Sequence, residues 1–233
     1  MRKKLVIIVA VLVIIIGGIW GGSAIYASKE NSKAPTALSL STPTAATATE
    51  GASSDATQGA SESGSLEGDW SIAQGSQAGY RVAEVLNGQN VTVVGRTESV
   101  EGSVTIADSK LTAAQVSVDL TGVATDNGSR DSQFLSILKT AEFPSATFTL
   151  SAPVDIAAIK AGVASVKAVG DLTIAGTTKS VTVDLKAQST GSGVEVQGSI
   201  PVTFSDYGIA APDLGFVKVE PAGTVEMLLK LSK

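Results

Sequence analysis

The chain contains no cysteine and no histidine, and aromatic residues make up only 4% of its 233 positions. These absences exclude chemistry before any motif is considered. Without cysteine there is no disulfide framework, no thiol redox centre and no lipid anchor on an N-terminal cysteine. Without histidine or cysteine there is no Ser/His/Asp or Cys/His nucleophilic system, and no zinc site of the usual nitrogen and sulfur ligands. Basic residues are also scarce: 17 Lys and Arg against 22 Asp and Glu leave a formal charge of −5 and a pI near 4.8. A nucleic-acid partner requires a basic footprint that displaces counterions from phosphates, and that footprint is missing. The carboxylates do not fall at EF-hand spacing either. The composition is that of a binding or structural protein rather than an enzyme, with no cofactor or metal expected.

What is present falls into three unlike segments. Arg2, Lys3 and Lys4 precede Leu5–Tyr26, a run of 22 residues without a charge. As a helix this run is about 33 Å long, enough to cross a hydrocarbon core of about 30 Å. Basic residues before it place the N-terminus in the cytoplasm and the rest of the chain outside it. A cleaved signal peptide, with Leu5–Ile16 as its apolar centre, is the competing reading and leaves the rest secreted. Residues 31–68 are almost wholly Ser, Thr, Ala, Gly, Pro and acidic residues. Such a stretch buries too little apolar surface to offset its ordering entropy, and it reads as a disordered linker spanning about 35 Å. Its Ser/Thr density is compatible with O-glycosylation.

From Asp69 to Lys233 the apolar residues alternate. Val116, Val118 and Leu120 do so in "QVSVDL"; Ala146, Phe148 and Leu150 in "SATFTL"; Val181, Val183 and Leu185 in "SVTVDL". Ile200, Val202 and Phe204 follow in "SIPVTF", then Val225, Met227, Leu229 and Leu231 in "TVEMLLKL". Period two marks strands with one buried face, and turns such as "LNGQN" join neighbours too closely for crossover helices. Eight or nine antiparallel strands at regular spacing predict a mainly β domain, a sandwich or a closed barrel. Phe134, Leu135 and Leu138 at helical spacing predict one short helix, Arg130–Lys139, ending before Pro144. A second helix over 154–163 competes with a loop. The whole net charge lies in this domain, because the first 68 residues carry five charges of each sign.

Several ordered pieces resemble the YceI-like family: Trp70 followed by "SQAGYRVAE", then "VVGRTESVEGSVTI", "VSVDLTGVATDNGSRD", "FPSATFTL", "GDLTIAGTTKSVTVDL" and "VTFSDYGI". The similarity spans 69–233. It departs from the commoner pattern after Arg130 and Asp131, where "SQFLSILKTAEF" stands. The resemblance implies an eight-stranded antiparallel lipocalin-like barrel with helical cover, whose interior holds a long isoprenoid or related amphiphilic lipid.

The residues themselves admit that role. The inward candidates are aliphatic and small, with few phenylalanines (Phe134, Phe143, Phe148 and Phe204) to fill a centre. That composition suits a tunnel or, equally, a flatter packed sandwich; the resemblance favours the tunnel. The candidate lining is Val118, Leu120, Phe148, Leu150, Val183, Leu185, Ile200, Val202, Phe204, Val225 and Leu229. Arg130, Phe134, Leu138 and Tyr207 are candidates for the barrel mouth. Each polar candidate has a structural reading beside it: Arg130 with Asp131 as a local pair at a helix start, Asp206 and Tyr207 as a turn before glycine. "GTTKS" at 176–180 joins two strands and is no phosphate loop. Asn90-Val91-Thr92 and Asn127-Gly128-Ser129 match the N-glycosylation triplet. The expected partners are the lipid and, through the N-terminal helix, the membrane, with a homodimer allowed by exposed strand edges. The rival expectation is a rigid β module on a stalk, without a ligand and with a filled interior.

Overall fold

The alternating stretches become eleven strands: β1 Gly68–Ile72, β2 Gln77–Leu86, β3 Gln89–Thr97, β4 Val100–Ala107, β5 Lys110–Asp119, β6 Ser145–Leu150, β7 Val154–Asp155, β8 Ala164–Ile174, β9 Thr177–Thr190, β10 Gly193–Thr203 and β11 Val217–Ser232. The computed structural model describes residues 25, 27–41, 65–190 and 193–233. Apart from Ile25, the expected membrane segment Leu5–Tyr26 lies outside the described residues, as do residues 42–64 of the expected linker. Among the described residues no helix is long and apolar enough to cross a membrane.

Eight strands close into an antiparallel ring in the order β1-β4-β5-β6-β8-β9-β10-β11, and β11 returns to β1. Closure removes the edges of these eight strands, while the β2–β3 hairpin outside the ring leaves an edge on β3. At 16 residues, β11 is long enough to pair twice along one side. Its last residues meet β1, with Leu231 opposite Ile72, while the rest pairs with β2, with Val225 opposite Tyr80. One end of the barrel is therefore sealed by β1. At the other end the wall continues as the β2–β3 hairpin and splays from the ring. Between Val219 and Gly223 the β11 register slips, and Pro221, which has no N–H to give a ladder, sits in that bulge.

The sealed half is packed by Trp70, Val104, Ile106, Ile156, Ile159, Val194 and Leu231, all buried. Trp70 Nε1 donates to the Leu66 carbonyl at 2.8 Å, and the Lys233 ammonium lies 4.8 Å from the Trp70 ring centroid. The folded unit thus begins before Asp69, because Leu66 is itself core.

Among the described residues of the domain, the one α-helix, α1, is Gly128–Ile137, two residues earlier than the sequence predicts. Asn127 sets its start, its side-chain oxygen accepting from the Ser129 amide at 2.9 Å. Over 154–163 the chain forms the short strand β7 and a 3-10 turn, Ala157–Ala161, rather than an α-helix.

Residues 31–41 do not behave as the free linker expected of them. Residues 27–33 are helical, and 34–41 follow without regular secondary structure, bonded to the outside of the barrel. The Asn31 amide donates to the Asn90 carbonyl at 2.9 Å and its oxygen accepts from the Thr92 amide at 2.8 Å, covering part of β3's free edge. Further along, Arg81 donates to the Pro35 carbonyl at 2.8 Å. Ser41 donates to Glu195 through its amide, at 2.9 Å, and its hydroxyl, at 2.8 Å. Polar contacts hold this strap, which is why apolar content gave no sign of it. The β3 edge is bridged lower down by Arg96 and Ala124, through bonds of 2.9 and 3.0 Å.

Candidate functional site: an apolar cavity at the open end

Where β2 splays from the ring, the barrel encloses a cavity of about 460 Å³. That size is typical of small-molecule sites. Its walls come from β2, β5, β6, β8, β10 and β11, its cover from α1, and its rim from the segment 209–219. Alternation explains the lining: on each strand every second side chain points inward.

Of the residues predicted from sequence, Val118, Leu120, Phe148, Ile200, Val202, Phe204 and Val225 line this cavity, together with Arg130, Phe134 and Leu138 of the cover. Leu150, Val183, Leu185 and Leu229 do not. They belong to the packed core: Leu150 lies opposite Gly170, Val183 opposite Ala168, Leu185 opposite Gly198 and Leu229 opposite Val196. The reason is a floor. A side chain at Gly170 would meet the Phe148 ring at 2.3 Å, and one at Gly198 would meet Met227 at 2.8 Å. These two glycines make room for Phe148 and Met227 to reach across and close the interior beneath the cavity.

Tyr207 is also misplaced by the sequence reading. It lies in the 3-10 turn Phe204–Tyr207, buried, away from the cavity lining. Its hydroxyl has no hydrogen-bond partner among the described residues, and burial, with Asp206 adding to it, raises its pKa.

The cover is held by one aromatic pair and one ion network. Tyr80 stacks on Phe134 with centroids 4.9 Å apart and planes 11° from parallel. The Tyr80 ring occupies space that a side chain at Gly95 would fill, at 2.4 Å. Burial pushes the Tyr80 hydroxyl up to about 12; Asp131 and Glu84 add to the rise and Arg130 opposes it. The Arg130 guanidinium bridges two carboxylates, Glu84 through Nη2 and Asp126 through Nη1, each at 3.0 Å. Asp131, expected as its local partner, instead accepts from the Thr125 amide at 2.8 Å and hydroxyl at 2.6 Å. One cation between two anions leaves the rim with no excess positive charge.

The sequence reading missed Tyr80, Glu84, Leu214 and Phe216, all of which line the cavity. Glu84 carried a signal: in "YRVAEVL" it occupies the same face as Tyr80, Val82 and Leu86. A carboxylate on an inward face requires a partner, and Arg130 supplies it. The walls are mostly apolar, aliphatic with Tyr80, Phe148 and Phe204 among them, and Asn127, Ser129, Arg130 and Gln133 gather at the cover beside Glu84. Such a site can seat a long apolar chain with a polar end at the rim.

Two solved structures share this architecture. A polyisoprenoid binding domain from Saccharophagus degradans, implicated in plant cell wall breakdown, superposes with a TM-score of 0.57 at 20% identity, covering 70% of this chain and 97% of its own. BcnA of Burkholderia cenocepacia superposes with a TM-score of 0.55 at 20% identity, covering 68% of this chain and 96% of its own. No curated relative matches the chain by sequence. Both structural likenesses agree with the family match over residues 70–231, and the chain belongs to the YceI-like domain family.

Proposed function

We propose that this chain binds one long-chain isoprenoid, or a related amphiphilic lipid, in the cavity, and does so outside the cytoplasm as a membrane-attached protein that sequesters or carries the lipid. The observation that carries the reading is an aliphatic cavity floored by Phe148 and Met227 and opening through a rim of polar groups. Contact alone supplies affinity: each heavy atom seated in the cavity gains about 0.3 kcal/mol, so binding strengthens with the length of chain the cavity takes up. No reacting group is needed, so the role is binding rather than catalysis. The likeness to a polyisoprenoid binding domain supports the ligand class. The basic residues before the uncharged run Leu5–Tyr26 support the membrane attachment and its direction. A ligand-free structural module would be expected to fill its interior, which the cavity argues against.

Mass spectrometry of organic extracts from the purified full chain tests the reading. A prenyl or other long-chain lipid should be enriched over an Ala146→Phe variant, whose added ring occupies the cavity beside Val118. Equal lipid in both proteins would overturn it.

A further inference from the structure

The strap has a direction. Asn31 is bonded to Asn90 and Thr92, close to Asn87, whose amide donates to the Phe216 carbonyl at 2.8 Å on the cavity rim. Ten residues later Ser41 is bonded to Glu195, which lies opposite Lys230 at the sealed end. The strap therefore starts at the mouth and finishes at the floor side. Ser65 is also at the sealed end, its carbonyl accepting from the Lys233 ammonium at 2.8 Å. Both ends of the stretch 42–64 are thus fixed at the sealed end, so that stretch does not separate the barrel from whatever precedes residue 27.

What precedes residue 27 is the uncharged run. Ala27 is already buried, at 5% exposure, whereas Ile25 is 73% exposed. On the membrane-attached reading above, the span ends at Tyr26, only five residues before Asn31, which is bonded to the barrel at Asn90 and Thr92. The barrel is then held at the bilayer by its mouth end.

The rim has a matching feature. Residues 212–219 fold back on themselves, with Val219 N donating to the Pro212 carbonyl at 2.9 Å and Leu214 N to the Val217 carbonyl at 2.8 Å. Asp213 accepts from the Gly215 amide at 3.0 Å, and Gly215 takes the left-handed φ of +80° that the tip requires. On this tied tip Leu214 is 55% exposed and Phe216 61% exposed. Large apolar side chains presented to water beside a lipid-sized cavity need an apolar surface to meet.

We infer that the cavity mouth faces the bilayer at contact distance, with Leu214 and Phe216 entering the lipid interface, so that a lipid passes between leaflet and cavity without crossing water. The inference rests on the lipid-binding, membrane-attached reading and adds an orientation to it. A lipid surface fits better than a protein partner because the chain's own apolar run enters at the same end. Attraction to anionic headgroups plays little part, since the domain carries the net charge of −5.

The absence of native cysteine makes the test direct. Single-cysteine full chains, Leu214→Cys, Phe216→Cys and Ser189→Cys, are labelled with an environment-sensitive fluorophore and reconstituted into phosphatidylcholine vesicles containing doxyl-labelled lipid. Ser189 is exposed at the sealed end and serves as the reference. Emission at 214 and 216 should shift to the blue and be quenched, while 189 stays unshifted and unquenched. Quenching at 189 with none at 214 or 216, or equal emission at all three, overturns the orientation. So does a chain that does not float with the vesicles. Extractable lipid is assayed in the Ser189→Cys chain, whose label lies away from the cavity lining, which separates the two claims. Bound lipid with an unquenched tip defeats the orientation alone, whereas a quenched tip without bound lipid defeats the cavity's role alone.

Discussion

The two halves of this barrel are made from the same strands and nearly the same residue types, yet one is packed and the other holds a cavity. In the sealed half, Trp70, Ile106, Val194 and Leu231 meet across a ring closed by β1. In the open half the wall runs into β2 and β3, and side chains of similar size leave a cavity between them. Composition therefore does not decide whether a barrel is full. Closure does: the strand that completes the ring, and the two glycines that let Phe148 and Met227 span it, set where packing stops.

Substitutions that treat the halves alike sharpen this contrast. Leu229→Ala, in the sealed half, should cost about 2–5 kcal/mol in denaturant unfolding, because it opens a void in packed surroundings. Leu120→Ala, facing the cavity, should fall at or below the low end of that range, since Leu120 has neighbours on fewer sides. Equal costs would mean that the halves are packed alike. Gly170→Ala attacks the floor itself. Its new methyl would meet the Phe148 ring at 2.3 Å and the Thr149 carbonyl at 2.6 Å. A loss of about 1–3 kcal/mol is expected from such overpacking.

The cover gives a pH test. An unfolded tyrosine ionises near 10.0, whereas Tyr80 stays neutral up to about 12. The corresponding stabilisation is complete below about pH 10 and is lost as pH rises from there through the folded value, with about 2 kcal/mol at stake. Tyr80→Phe should flatten this alkaline loss in pH-dependent unfolding; an unchanged profile would place its origin elsewhere.

Smaller effects are expected at the rim and the strap. Glu84→Gln removes one of the two carboxylates on Arg130, so titration with a prenyl diphosphate should tighten relative to the prenyl alcohol of the same length. No change in that ratio would show that the rim charge does not reach the ligand. At the lower end of the strap, burial pushes the Glu195 carboxyl up, but the Ser41 amide and hydroxyl, Gln188 and Lys230 outweigh it and hold its pKa below the usual range. This contact is at full strength above about pH 4.5, the ordinary value, and is lost as pH falls through the lower folded value. The Ser41 amide resonance should titrate over that acidic window, and Glu195→Gln should abolish the titration.

How much of this was legible in the sequence follows from what each feature depends on. The strands and their inward faces depend on alternation, so Val118, Ile200, Val202 and Val225 were placed by period alone. Depth along a strand depends on pairing across strands. Leu185 and Leu229 look like Val202 and Val225 until the register sets Gly198 opposite both Leu185 and Met227. The strap was illegible because Asn31 and Ser41 act through hydrogen bonds to partners known only from the fold, while its composition matches that of a linker. Tyr207 stood as a mouth candidate beside the plainer reading of a turn before glycine; the turn is what forms, and it tucks the ring into the core. Glu84 was legible in principle, as a charge on an otherwise apolar face.

Native mass spectrometry of the full chain, released gently from membranes, tests the central claim most directly. The account predicts a population heavier by the mass of one long-chain lipid, absent from Ala146→Phe. A chain carrying no such mass, or carrying it equally in both proteins, would contradict it.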